Sequence, residues 1–146
     1  MVGLVTAVSS LLVVMFNYEV LALLHRWYLR DGQNDVAVRS PRQTIVVVIL
    51  VLLVAHLLEI VFFGLLFWWM QAVDGLGELV GYEHFGLLDC IYFSAASYST
   101  VGWGEIVAVG AMRITAGIES LLGFLMITWT ASFSYLVMGQ AWGKGD

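Results

Sequence analysis

The sequence predicts an all-α membrane protein. Three helices cross the bilayer, and a short re-entrant helix with an irregular loop lies between the second and third. Three observations carry this. Hydrophobic residues make up 61% of the 146 and charged residues only 12%. Mean hydropathy is +0.92. Three apolar runs, Leu4–Leu24, Gln43–Met70 and Ala111–Met138, reach the roughly 20 residues that span a bilayer as helix. Backbone polar groups in lipid find no water, so such runs must satisfy them internally as helix.

The first span occupies residues 1–24. No Lys or Arg precedes its apolar run, so the basic start of a signal peptide is missing and it is expected to be a true span. Asn17, Tyr18 and Glu19 fall in its inner half and read as an inter-helix polar contact. Residues 25–42 form a basic loop holding Arg26, Arg30, Arg39 and Arg42, four of the six basic residues. Ser40-Pro41-Arg42-Gln43 then has the form of a helix start. Ser40 is the N-cap, Pro41 suits the first turn, and Gln43 closes a capping box.

The loop after the second span has no Lys or Arg and holds Asp74, Glu78, Glu83 and Asp89. Gly86 to Ser99, GLLDCIYFSAASYS, is apolar enough to be buried and too short to span. It either dips into the membrane as a helix or lies flat at the interface. Asp89 in its first turn faces the positive end of the helix dipole. The basic loop at 25–42 sets the orientation: N-terminus outside, C-terminus with Lys144 cytoplasmic. Arg113, at the outer end of the third span, opposes this but is outvoted. Trp27, Tyr28 and Trp142 are expected at the inner interface, Trp68 and Trp69 at the outer one.

Composition excludes several classes. There is no internal repeat, low-complexity tract or soluble stretch for a nucleotide-binding or ligand-binding module. No arginine ladder marks a voltage sensor. The single cysteine, Cys90, forbids an intrachain disulfide and reads as a small buried apolar residue.

The stretch YSTVGWGEIV, residues 98–107, follows the short helix. Non-helical backbone at membrane depth must be buried in protein or line a water-filled path. Gly102 and Gly104 can take positive φ without steric cost, which lets successive carbonyls point one way. Trp103 is expected to point away and wedge the loop against the surrounding helices. A ring of such carbonyls from several subunits can replace the hydration shell of a cation.

Ser99-Thr100-Val101-Gly102-Trp103-Gly104-Glu105 resembles the potassium-channel signature T-T-V-G-Y-G-D. Tyr92-Phe93-Ser94 stands where many such channels have an aromatic pair in the pore helix. Arg113 and Gly123 fall near the family's arginine and its inner-helix glycine hinge. The resemblance covers about Glu83 to Tyr135. It is to small prokaryotic two-transmembrane pore domains, here with an extra N-terminal helix. It implies a pore domain over 43–140, with outer helix 43–70, extracellular loop 71–85, pore helix 86–99, filter 100–105 and inner helix 111–139. It also implies a homotetrameric ion channel, because one loop cannot encircle an ion and the family's filter uses four.

In that reading potassium meets the carbonyls of Thr100, Val101, Gly102 and Trp103 and the Thr100 hydroxyl. Gly104 shapes the loop, and Ser99, Glu105, Tyr92 and Phe93 support it. Ile127 and Ala131 face the axis, with Tyr135 near the inner mouth. The expected partners are monovalent cations, the lipid bilayer and further copies of the chain. No cofactor, nucleic acid or enzymatic role is implied. Departures are Ser99 for Thr, Trp103 for Tyr and Glu105 for Asp. The indole of Trp103 is larger than a phenol and only donates, so a looser filter passing sodium stays open. A non-conducting partner subunit with the same fold also stays open.

His56, Glu59 and Glu119 are ionisable residues inside spans, and so are functional candidates. Both carboxylates are expected on the outer side of the midplane, meeting behind the short helix near Ser97 or Ser99 and sharing a proton. Three readings remain: hydrogen-bonded struts, a gating or proton-sensing network, or a metal or redox site. The outer acidic residues Asp74, Glu78, Glu83 and Glu105 either raise the local cation concentration or form a plain solvated loop.

Overall fold

The computed structural model describes residues 1–31, 40–82 and 85–142. Arg39, Glu83 and Lys144, used above for charge placement, lie outside the described residues. The helices are α1 (Val2–Asp31), α2 (Pro41–Gln71), α3 (Leu87–Tyr98) and α4 (Met112–Trp142), and two short strands, β1 (Glu78–Val80) and β2 (Val107–Val109), join them. Among the described residues, α1, α2 and α4 contain the segments long and apolar enough to cross a membrane. The protein is therefore an all-α, multi-pass membrane protein.

Local sequence sets the helix starts. At α2 the Gln43 N–H donates to Ser40 Oγ and the Ser40 N–H donates to Gln43 Oε1, both at 3.4 Å. Pro41 occupies the first turn, where its missing N–H costs nothing. At α3 the Gly86 N–H donates to Asp89 Oδ2 at 2.8 Å. Nothing apolar need stop at Leu24. Helix α1 runs on to Asp31, so the segment expected as loop from residue 25 opens as helix. The reason is packing: Trp27 and Tyr28 lie against a cluster of Leu21, Leu24, Val48, Leu52 and Val137, which ties α1, α2 and α4 together. Helix α4 likewise runs past the expected end at 139.

The short helix α3 packs between α2 and α4, and α1 packs on the outside of both long helices. The main core forms around α3. Phe63, Phe67 and Met70 of α2 meet Cys90 and Phe93 of α3 and Met112, Leu122 and Met126 of α4. Phe67 and Phe93 stack edge to face at 5.1 Å between centroids, a preferred aromatic geometry. Cys90 is fully buried, and Gln71 Nε2 donates to its Sγ at 3.1 Å.

The loop at 71–85 and the segment before α4 are not plain connections. Strands β1 and β2 pair antiparallel, with Val80 opposite Val107 and Glu78 opposite Val109. They clip the two ends of the α3–loop insertion together.

Candidate functional site

Residues 99–105 follow α3 without regular structure and are exposed in the single chain. Their backbone alternates. Thr100 has φ +59°, Gly102 +56° and Gly104 +81°, with no positive φ at Val101 or Trp103. Alternating the sign of φ reverses the turn at each residue, so the carbonyls can come round to one side. A side chain in the left-handed region costs about 1–2 kcal/mol. Glycine removes that cost at two of these positions, and Thr100 carries it at the third.

Hydrogen bonds pin the loop to α3. The Thr100 N–H donates to the Ser97 carbonyl at 2.9 Å, and the Gly102 N–H reaches the Ala96 carbonyl at 3.0 Å. Ser99 caps α3, and its hydroxyl donates to the Ala95 carbonyl at 2.6 Å. At the far end Glu105 is held from two sides. Tyr92 of α3 and Tyr82 beside β1 donate to its Oε2 at 3.3 and 3.2 Å. The Glu105 carboxylate in turn raises the Tyr82 phenol above its ordinary value of 10.0. Thus Tyr92 turns toward the loop while its neighbour Phe93 is buried against α2.

Trp103 stands outward from the single chain. It is 68% exposed and does not wedge the loop against its own helices. It covers one rim of a small depression shared with Tyr92, Ala96 and Ser97.

Behind the loop lies a buried polar network. Tyr98, the last residue of α3, donates its hydroxyl to Glu59 Oε2. His56 Nδ1 lies 2.8 Å from the Tyr98 hydroxyl and 3.2 Å from Glu59 Oε2, and its Nε2 lies 2.9 Å from Thr130 Oγ1 on α4. Asn17 of α1 donates to Glu59 Oε1 at 3.0 Å. Every helix thus contributes a side chain.

Glu119 stands apart from it. Its Oε1 lies 2.5 Å from Ser94 Oγ, which also lies 2.8 Å from the Ile60 carbonyl. Ser94 has one hydrogen to share between these two acceptors. The expected meeting of Glu59 and Glu119 near Ser97 or Ser99 does not occur. Each takes its own hydroxyl, Tyr98 or Ser94, one turn apart on one face of α3. Ser97 gives its carbonyl to the Thr100 N–H, and the Ser99 hydroxyl bonds the Ala95 carbonyl. Among the described residues no three of His, Cys, Asp and Glu gather closely enough to hold a metal ion.

Gly123 has a packing role. Helix α4 is unbroken through it, and a Cβ there would lie 2.1 Å from the Tyr98 carbonyl oxygen. The glycine lets α4 touch the backbone at the end of α3.

Sequence reasoning missed Tyr82, Ser94, Tyr98 and Thr130. The spacing of Ser94 and Tyr98 by four in an apolar helix was the available signal for two of them. No curated protein and no solved structure matches the chain significantly. A family model described as ion channel matches residues 46–138, from α2 through the loop into α4. That match spans well over half of the chain, and this membrane protein belongs to the ion channel family.

Proposed function

We propose that the chain forms a homotetrameric, passive, potassium-selective channel whose filter is Thr100-Val101-Gly102-Trp103-Gly104. The observation that carries this is the alternating positive φ at Thr100, Gly102 and Gly104 in an exposed loop anchored at both ends. One loop cannot surround an ion, and four related by cyclic symmetry can. The 53% exposure of Val101 and 68% of Trp103 leave surface for neighbouring copies.

Conduction is dehydration onto carbonyl rings of Thr100 to Trp103, with the Thr100 hydroxyl below them, then knock-on between adjacent sites. The negative end of α3 points toward the inner cavity and stabilises a cation there. Ile127, Ala131 and Tyr135, all exposed on α4, line the inner path. The N-terminus lies outside and the C-terminus in the cytoplasm of a plasma membrane. The protein is not an enzyme and uses no cofactor beyond the permeant ion.

The test is the reversal potential of the purified protein in a planar bilayer, with potassium on one side and sodium on the other. A value near the potassium limit is expected. A second reading, a non-selective cation pore, draws on Trp103, which has no hydrogen-bond partner among the described residues. A reversal potential near zero with real current would establish that reading instead. Absence of current across the pH range would favour a non-conducting partner subunit.

A further inference from the structure

Helix α1 lies outside the family match, and nothing yet assigns it a task. One of its buried polar residues, Asn17, is 1% exposed in an apolar helix. A buried amide in a membrane helix is expensive, and it is kept where it hydrogen-bonds across to another helix. The helix also has other anchors. Thr6 and Thr115 hydroxyls meet at 2.9 Å between α1 and α4, and Leu21 and Leu24 pack on the inner cluster.

The orientation of Asn17 is specific. Its amide nitrogen donates to Glu59 Oε1 at 3.0 Å, while its own oxygen has no partner among the described residues. The side chain is committed as a donor to that carboxylate. Glu59, 2% exposed, holds Tyr98 through its other oxygen. Tyr98 closes α3, and Thr100 opens the alternating backbone two residues later. On the opposite side the Tyr98 carbonyl is pressed against Gly123, where a Cβ would approach to 2.1 Å. Tyr98 therefore has little room to yield toward α4. Glu59 and His56, whose Nδ1 lies 2.8 Å from the Tyr98 hydroxyl, together hold the side chain at the end of α3.

We propose that Asn17 is a positioning residue for the filter. It fixes Glu59, which fixes Tyr98 and through it the backbone at Thr100, so α1 is a working part of the ion path rather than an added span. This rests on the filter reading above.

The test uses the full chain in detergent. Its thermal unfolding is followed in potassium chloride and in sodium chloride at equal ionic strength. A bound ion raises the midpoint by mass action, so the potassium-dependent increment reports filter affinity without requiring current. Asn17→Leu is expected to weaken apparent potassium affinity by about tenfold, the scale of one lost buried hydrogen bond. Thr6→Val, which cuts a hydroxyl contact of α1 with α4 rather than with Glu59 of α2, should lower the midpoint equally in both salts and leave the increment intact. In a Tyr98→Phe background, Asn17→Leu should have no further effect on the increment.

A full increment in Asn17→Leu, or equal additive losses in the two backgrounds, would overturn the inference alone. Failure of Asn17→Leu and Asn17→Ala to assemble would also overturn it, since helix packing would then account for Asn17. An unmodified protein with neither potassium-dependent stabilisation nor current would overturn the filter reading, and the inference with it.

Discussion

At Gly123 the absence of one carbon decides a helix contact. A methyl group there would sit 2.1 Å from the Tyr98 carbonyl oxygen, closer than any relaxed contact. Gly123→Ala must push α3 and α4 apart, and overpacking of this kind costs about 1–3 kcal/mol. A lower unfolding midpoint in detergent is expected. Glu119 poses a different residue question. If its carboxyl serves Ser94 as a neutral group, the amide of Glu119→Gln can donate in its place. That variant should unfold within a few degrees of the parent, whereas Glu119→Ala should unfold clearly earlier, having lost a buried partner at about 1–3 kcal/mol. A large loss in Glu119→Gln would mean that a charged carboxylate is required.

Among the elements, α3 and the β1–β2 ribbon act as a frame for residues 99–105. The start of the loop hangs from α3 by its backbone, and its far end is gripped at Glu105 by Tyr92 and Tyr82. The Tyr82 contact can be read directly by titration. A carboxylate beside a phenol disfavours the phenolate, so Tyr82 keeps its proton above the ordinary 10.0. Glu105→Gln should return its titration toward that value, followed by the ultraviolet absorbance of phenolate against a Tyr82→Phe control. No movement would show that the two groups are not paired in the assembled protein.

For the molecule as a whole, the question is how it sits in the bilayer. Cysteine labelling resolves it, with the native Cys90 buried and so slow to react. In a Cys90→Ala background, Asp74→Cys should react with a membrane-impermeant maleimide on intact cells, and Arg42→Cys only after permeabilisation. The reverse pattern would invert the proposed orientation. The three long helices show why the bilayer is the natural solvent. Much of α2, including Ile49, Leu50, Leu53, Val54, Leu57 and Leu58, is exposed apolar surface in the isolated chain. A helix apolar all round has no aqueous face to offer.

By itself the sequence determined the spans, the start of α2 and the unusual loop. Each of these is local: run length, a Ser-Pro-x-Gln cap, two glycines round a tryptophan. The family resemblance rested on the same contiguous residues. Only the tertiary structure decided which polar groups meet. A helix that is apolar on every side gives no amphipathic phase, so the rotation that brings Glu59 to Asn17 and Tyr98, and Glu119 to Ser94, was not written in any periodicity. The pairing of β1 with β2 was hidden for a related reason. Three-residue strands on opposite sides of α3 show no readable alternation, and their contact exists only once the chain has folded back between α2 and α4.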